Sequence, residues 1–257
     1  MSIHNMLDLT GKVAVVTGAS RSIGSAVTKR LAEAGAKTVV HYYDDFDNAD
    51  GVRKHIRNQG GEAILCKGDL SGEDGASNLI DKACSAFGSL DILINNAGIY
   101  PNKPFLDLTL GDWRAMYAAN VETAFLCTKL ASDRMKAAGG GAIVNIGSLS
   151  ALHPSDEHAH YSSSKAAIVS FTRAAAQELG VHGIRVNAVS PGLISRPGIE
   201  EQWPEGVGRW QAKAPLKRVG EPADIADACL YLVSPLSQWV SGHNLVVDGG
   251  ISAANIY

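Results

Sequence analysis

The chain has 257 residues, of which 46% are hydrophobic and 19% charged, and its formal net charge is −3. Such a composition is that of an ordinary globular protein, and it offers no basic surface for nucleic acid or a membrane. The sequence contains no run of about eighteen apolar residues, and residues 1–8 lack the features of a secretory signal. The cysteines show no paired motif, which predicts free thiols in a cytoplasmic protein. They are Cys66, Cys84, Cys127 and Cys229.

Short apolar runs alternate with longer segments of helical periodicity along the whole chain. The runs predict strands buried on both faces, because polar residues do not alternate with the apolar ones. These strands are Lys12–Thr17, Thr38–Tyr43, Ala63–Lys67, Asp91–Asn95, Ala142–Gly147, Ile184–Val189 and Asn244–Val247. The predicted helices are Ile23–Ala34, Ala49–Asn58, Gly75–Phe87, Leu110–Lys136, Ser162–Leu179 and Ala223–Val233. We therefore expect one α/β domain over residues 1–257, a Rossmann fold whose doubly wound, mostly parallel seven-stranded sheet carries helices on both faces.

One stretch, residues 191–219, departs from this alternation. Prolines and glycines surround a short helical segment that contains Trp203 and Trp210. A surface excursion with two packed tryptophans is one interpretation. Because long insertions at strand ends in this architecture often carry function, we expect a lid over a cleft.

The first predicted strand runs into a glycine-containing turn and then a helix. Gly18 and Gly24 let the backbone approach a pyrophosphate, and the helix N-terminus offers free N–H groups. The third strand ends before Asp69-Leu70, where a carboxylate can accept from an adenine amino group. The fourth ends in Asn95-Asn96-Ala97-Gly98, whose small residues leave room for a ribose. Because doubly wound sheets bind ligands at these strand ends, the pattern predicts a dinucleotide site.

At this point the sequence resembles the short-chain dehydrogenase/reductase family in its compact form. The resemblance covers essentially the whole chain. It rests on the glycine turn and on six further features: Asn95–Gly98, Asn120, Ser148, Tyr161-x-x-x-Lys165, Pro191-Gly192 and Val247–Gly250. It implies an NAD(P)-dependent oxidoreductase that moves a hydride between the cofactor and an alcohol or carbonyl substrate. The leading substrate classes are sugars or polyols and oxoacyl compounds or ketones. One departure is visible, since the family turn reads T-G-x-x-x-G-x-G and Ser22 replaces the middle glycine.

The residues expected to bind the cofactor lie in the turn, at the ends of strands and on the catalytic helix. They are Gly18, Ser20, Arg21, Ser22, Ile23, Gly24, Tyr42, Asp69, Leu70, Asn96, Ala97, Gly98, Tyr161, Lys165, Pro191, Gly192 and Ile194.

The form of the cofactor depends on the end of the second strand. An acidic residue there would accept from the ribose 2′-hydroxyl and repel a 2′-phosphate, but the position falls at the neutral Tyr42. Arg21 in the glycine turn can face a 2′-phosphate, so both features favour NADP(H). Asp44 and Asp45 follow closely and could reverse the preference if their loop turns inward.

Tyr161 and Lys165 are one helical turn apart and project from the same face. A free tyrosine has a pKa of about 10, and lowering it to about 7 requires about 4 kcal/mol. A lysine charge about 5 Å away supplies about 3 kcal/mol at an effective dielectric near 20, and the positive nicotinamide ring of the oxidised cofactor can supply the rest. The pair therefore predicts that Tyr161 is the acid/base. Ser148 is expected to bond the substrate oxygen. By resemblance, Asn120 holds a local break in its helix and a water that relays protons to Lys165.

The sequence disfavours other interpretations of these motifs. His153, His158 and His160 precede Tyr161, but their loop contains Pro154 and lacks a further ligand cluster, so no metal site is expected. A hydrolase would need a G-x-S-x-G elbow, which is absent. An epimerase or dehydratase on the same scaffold generally carries a larger substrate domain, and a silent nucleotide sensor has no need of the tyrosine–lysine pair.

Assembly is predicted by resemblance as well. The family commonly buries its long helices between subunits, and Phe125, Leu126, Val169 and Phe171 are apolar positions on the two helices concerned. The region 247–250 is expected to meet a second partner. We therefore expect a homotetramer of twofold-related dimers.

Overall fold

The computed structural model describes residues 6–253. Within them, the strands form one parallel sheet in the order β3-β2-β1-β4-β5-β6-β7. The strands are β1 (Val13–Val16), β2 (Lys37–Tyr42), β3 (Ala63–Lys67), β4 (Ile92–Asn95), β5 (Gly141–Ile146), β6 (Ile184–Pro191) and β7 (Asn244–Val247). This confirms the predicted doubly wound Rossmann sheet, with all seven predicted strands present. No helix in the described part of the chain is both long and apolar enough to cross a membrane.

The helices cover both faces of the sheet. They are α1 (Ser22–Glu33), α2 (Phe46–Asn58), α3 (Glu73–Phe87), α4 (Leu110–Tyr117), α5 (Thr123–Ala137), α6 (Ala159–Leu179), α7 (Ile199–Gln202), α8 (Pro204–Lys213) and α9 (Pro222–Val233). The sequence predicted one continuous helix over Leu110–Lys136. The structure instead joins α4 to α5 through a π-helical turn at Ala118–Glu122.

Alternation along β1 explains why helices are needed on both sides. Ala14 and Val16 belong to one buried apolar cluster together with Val27 and Leu31 of α1. Val13 and Val15, which point the opposite way, belong to a second cluster with side chains of α3, α5 and α6. All four strand residues are at most 1% exposed. Uninterrupted apolar runs are therefore what this sheet requires.

The order of the strands decides where a ligand can bind. β1 lies between β2 and β4, so the crossovers from β1 and from β4 lead to opposite edges of the sheet. The carboxyl ends of these neighbouring strands leave a crevice between the loops that follow them. The glycine turn after β1 and residues 96–98 after β4 line this crevice.

Residues 191–219 form a separate excursion beyond the end of β6 that contains α7 and α8. Its base is closed by a parallel bridge between Ile194 and Gly220. Trp210 anchors α8 to the strand end, because a Cβ atom at Gly192 would lie only 2.6 Å from Cζ2 of Trp210. The bridge thus holds the two ends of the excursion together, and Trp210 packs the excursion against the end of the sheet.

Candidate active site

The glycine turn is shaped to approach an anion. Gly18 has a φ of +60°, and a Cβ atom there would lie 3.0 Å from the Cα of Ala97. α1 begins with no side-chain cap and with no acidic residue in its first turn. By contrast, α4 begins with a complete capping box. The first N–H groups of α1 therefore have no side-chain acceptor from the chain, which fits a pyrophosphate at this position.

Ser22 adopts a φ of +44°, in the left-handed region that favours glycine. The departure from the family pattern noted in the sequence therefore has a structural consequence. The backbone keeps the conformation that a glycine would take at this position, and this conformation is strained for a serine because of its Cβ atom.

Asn96 braces the turn from the neighbouring strand. Its Nδ2 donates to the carbonyl oxygens of Thr17 and Gly18, both at 2.9 Å. The hydroxyl oxygen of Thr17 in turn accepts from the N–H groups of Asn96 and Ala97, both at 2.9 Å. Asn96 was predicted to contact the cofactor, and its amide nitrogen holds the turn. Thr17 was missed in the sequence because a threonine at a strand end has no distinguishing pattern.

His41, near the end of β2, was also missed. Its Nδ1 accepts from the N–H of Gly18 at 3.1 Å, and its Nε2 lies 3.1 Å from the carbonyl oxygen of Gly68. Acceptance at Nδ1 requires the neutral tautomer with its proton on Nε2. Burial lowers the pKa of His41 to about 4. The only signal in the sequence was a polar residue inside an apolar run.

The end of the crevice beside β2 carries an ion pair. Nε of Arg21, in the glycine turn, contacts Oδ2 of Asp45, in the loop after β2. The loop after β2 therefore turns inward, towards the glycine turn, while Tyr42 is buried. Asp69 accepts from the N–H and the hydroxyl of Ser71 at 2.9 and 2.7 Å, and these bonds lower the pKa of its carboxyl. Leu70 beside it is buried.

Tyr161 and Lys165 lie one turn apart on α6, with Nζ of Lys165 5.8 Å from the centre of the tyrosine ring. The ammonium donates to the carbonyl oxygen of Ile146 at 2.8 Å, and burial lowers the pKa of Lys165 to about 8. Burial also raises the pKa of Tyr161, opposed by a hydrogen bond from Ser148. The sequence argument predicted a lowered pKa for this phenol. The direction differs because, in the chain without cofactor, desolvation of the phenol outweighs the hydrogen bond from Ser148.

Asn120 lies in the π-helical turn, so the local break expected in this helix is present. Its Oδ1 accepts from the N–H of Ile99 at 2.8 Å, and its Nδ2 donates to the carbonyl oxygen of Ile99 at 3.0 Å and to Oγ of Ser164 at 3.1 Å. A Cβ atom at Gly98 would lie 2.7 Å from Oδ1 of Asn120 and 3.9 Å from Nζ of Lys165. Asn120 therefore ties the chain after β4 to the catalytic helix.

Two aromatic side chains border Tyr161. The rings of Tyr100 and His158 lie edge-on to it, with centroids 6.5 and 5.8 Å away. His158 is oriented by Asp156, whose carbonyl oxygen lies 2.7 Å from its Nδ1. His160 is buried, and its Nδ1 has no hydrogen-bond partner in the structure. Within residues 6–253, no group of three or more histidine, cysteine or acidic side chains is arranged to hold a metal ion.

Comparison with known proteins identifies the family. A family model described as enoyl-(acyl carrier protein) reductase matches residues 18–252. The 3-oxoacyl-[acyl-carrier-protein] reductase of Synechocystis sp. is 37% identical over 247 residues, 96% of this chain and 99% of its own.

Two solved structures are similar throughout. A 7α-hydroxysteroid dehydrogenase complexed with NADH and 7-oxo glycochenodeoxycholic acid is 38% identical, with a TM-score of 0.89 over 97% of this chain and 98% of its own. A gluconate 5-dehydrogenase of Burkholderia cenocepacia in complex with NADP and tartrate is 27% identical, with a TM-score of 0.92 over 99% of this chain and 100% of its own. The chain therefore belongs to the short-chain dehydrogenase/reductase family, whose members are oxidoreductases acting on CH–OH or carbonyl groups.

Proposed function

We propose that Tyr161 is the acid/base of a hydride-transfer reaction between an alcohol and its carbonyl product, and that Ser148, Lys165 and Asn120 support it. One observation carries this proposal. The phenol of Tyr161, the hydroxyl of Ser148 and the ammonium of Lys165 converge in the crevice beside Gly98. Cofactor-binding loops and a proton-transfer group thus share one site.

Ser148 and Tyr161 act on the substrate oxygen. In reduction, Tyr161 gives its proton to the developing alkoxide, and in oxidation the phenolate accepts the alcohol proton. Ser148 donates a hydrogen bond to the same oxygen, which holds it within reach of the phenol. Positioned proton transfer of this kind contributes about 10²–10⁴-fold to the rate.

Lys165 and Asn120 act through Tyr161 and the backbone. The positive charge of Lys165 favours the phenolate of Tyr161, and this charge is retained below a pKa of about 8. Asn120 fixes Ile99 through two hydrogen bonds and so holds the chain beside Gly98 in place. We also propose that Asn120 holds the water that relays protons to Lys165.

The cofactor, when bound, supplies or accepts the hydride. The first turn of α1, with Gly18, Ser20, Ser22, Ile23 and Gly24, binds its pyrophosphate. Asp69 and Leu70 would hold the adenine half. Residues 96–98, together with Pro191, Gly192 and Ile194 at the end of β6, would hold the nicotinamide half. We propose NADP(H) as the preferred form, because Tyr42 is neutral and Arg21 is the one cation of the glycine turn, while the contact of Asp45 with Arg21 opposes this preference without reversing it.

The substrate belongs to the sugar and polyol class or to the oxoacyl and ketone class. The names of the similar proteins support both, since one reduces oxoacyl groups and others act on a steroid alcohol and on gluconate. Residues 191–219 act as a lid over this substrate, hinged at the Ile194–Gly220 bridge. The four cysteines are free thiols, which supports a cytoplasmic location.

We further propose a homotetramer. Phe125 of α5 is 48% exposed and packs edge-on against Phe171 of α6, whereas Leu126 and Val169 are buried within the chain itself. Trp239, in the turn before β7, is 101% exposed. Two separate apolar surfaces of this kind are what two twofold interfaces require.

The test is a panel of polyols, sugars, oxoacyl compounds and ketones, assayed with both NAD(H) and NADP(H). The wild type should turn over at least one member, and Tyr161→Phe should remove at least 99% of that rate. Tyr231→Phe, on α9 away from the crevice, is the matched control and should keep the wild-type rate. A Tyr161→Phe variant that kept more than about a tenth of the activity would contradict the assignment.

A further inference from the structure

The Arg21–Asp45 pair joins two loops that both border the adenosine ribose of a bound dinucleotide. Residues of β1 and β2 are paired in parallel, so the glycine turn and the loop after β2 leave the sheet side by side. Arg21 lies in the first loop and Asp45 in the second, and Nε of Arg21 contacts Oδ2 of Asp45. The pair therefore spans the place where a 2′-hydroxyl or a 2′-phosphate is recognised in this fold.

The two partners are held very differently. Nδ2 of Asn48 donates to both carboxylate oxygens of Asp45, at 2.9 and 3.0 Å, and the Asp45 side chain is only 14% exposed. The Arg21 side chain is 68% exposed. Asp45 is thus the fixed member, and Arg21 is free to exchange one anionic partner for another.

Arg21 is the one positive charge on the two loops. It is the only lysine or arginine between residues 13 and 28, and the loop after β2 and the first turn of α2 carry Asp44, Asp45 and Asp47 without a cation. Further along α2, Arg53 and Lys54 are both paired with Asp50. A 2′-phosphate entering between the two loops therefore meets Arg21, which already has a carboxylate partner.

We infer that Asp45 is a specificity-determining residue that competes with the 2′-phosphate of NADP(H) for Arg21. The inference rests on the proposed function, because it presupposes a dinucleotide in the crevice. Each NADP(H) molecule must displace the Asp45 carboxylate and then lie near it, whereas NAD(H) leaves the ion pair intact and presents a hydroxyl that Asp45 can accept. Asp45 therefore limits the preference for NADP(H) that Arg21 and Tyr42 create.

The experiment measures binding of NADP+ and NAD+ to the protein without substrate, by isothermal titration calorimetry at low salt. Asp45→Asn keeps the shape of the side chain and removes its charge. We expect it to bind NADP+ at least tenfold more tightly than the wild type does, and NAD+ within about threefold. Asp44→Asn is the matched control, since it removes the same charge from an exposed neighbouring side chain, and it should change neither affinity by more than about twofold.

A second variant tests the mechanism independently of how Asp45→Asn folds. Arg21→Gln, at an exposed position, should weaken NADP+ binding at least tenfold more than NAD+ binding. In the Arg21→Gln background, Asp45→Asn should favour NADP+ much less, because only the direct repulsion between carboxylate and phosphate is then relieved. The inference is overturned if Asp45→Asn shifts both cofactors equally, if Asp44→Asn matches it, or if the effect is as large without Arg21 as with it. Failure of the wild type to bind either dinucleotide would overturn the proposed function itself, and the inference with it.

Discussion

His41 accepts the N–H of Gly18 at Nδ1 and reaches the carbonyl oxygen of Gly68 through Nε2, so one imidazole joins the ends of three neighbouring strands. The arrangement places a buried titratable group directly behind the glycine turn. Protonation of Nδ1 would replace its lone pair with an N–H that faces another N–H. The turn therefore keeps this support only while His41 is neutral.

This relationship predicts acid sensitivity. The pKa of His41 is about 4 in the folded protein, below its ordinary value of 6.5, so the unfolded chain binds more protons between these values. The contribution of His41 to the free energy of unfolding is therefore full above pH 6.5 and is lost as the pH falls towards 4. His41 should account for a loss of about 2 kcal/mol in the free energy of unfolding between pH 7 and pH 5. Urea unfolding at both pH values measures it. His41→Asn should remove this dependence, and the exposed His55→Asn should not. Identical slopes for wild type and His41→Asn would contradict the assignment.

Replacing Ser22 with glycine should stabilise the protein. Its φ of +44° is strained for a residue with a Cβ atom, and relief of the strain should raise the free energy of unfolding by about 1 kcal/mol in Ser22→Gly. Ser25, three residues further along α1, has ordinary helical neighbours, so Ser25→Gly should instead lose about 0.5 kcal/mol. Urea unfolding compares the two. We also expect Ser22→Gly to bind the cofactor at least as tightly as the wild type. A destabilised Ser22→Gly variant would show that the hydroxyl has a role not yet identified.

The buried charge of Lys165 should lower the free energy of unfolding at neutral pH. Its pKa is lowered by burial from 10.5 to about 8, so the unfolded chain holds an extra proton between these values and stability rises with pH across that window. Lys165→Met removes the buried charge, which stabilises the protein, and also removes the hydrogen bond to Ile146, which destabilises it. The net result should be a free energy of unfolding about 2 kcal/mol higher than that of the wild type at pH 7.

The advantage of Lys165→Met should shrink by about 2 kcal/mol at pH 9.5, because the wild-type amine is then neutral. Thermal and urea unfolding at both pH values provide the measurement. Turnover should be lost, whereas the exposed Lys129→Met should retain both stability and activity. An advantage independent of pH would mean that packing, not charge, separates the two proteins.

Light scattering tests the assembly. A homotetramer has four times the 27.0 kDa mass of the chain. Phe125→Glu places a charge on one proposed interface and should reduce the mass to that of a dimer. Val181→Glu is the control, since Val181 is 83% exposed in a short turn away from α5, and the tetramer should persist. A wild-type mass near that of one chain at micromolar concentration would rule out the proposal.

Much of the fold could be predicted because its signals are local. An uninterrupted apolar run predicts a strand covered on both faces, and all seven strands follow from such runs. The four-residue spacing of Tyr161 and Lys165 places both on one face of any helix. The glycine pattern after β1 predicts the turn. Each of these depends on a few neighbouring residues and on the regular geometry of one element.

Tertiary structure alone decided which distant residues meet and in what electrostatic state. The contact between Arg21 and Asp45 depends on the path of a loop, and the bonds from Asn120 to Ile99 depend on how a π-helical turn faces a strand end. In the sequence, His41 is only a polar residue within an apolar run. Its two hydrogen-bond contacts form only when the ends of three strands pack together around it. In the chain by itself the pKa of Tyr161 is raised, because desolvation is set by the whole packed environment, whereas the sequence reveals only the charge one turn away.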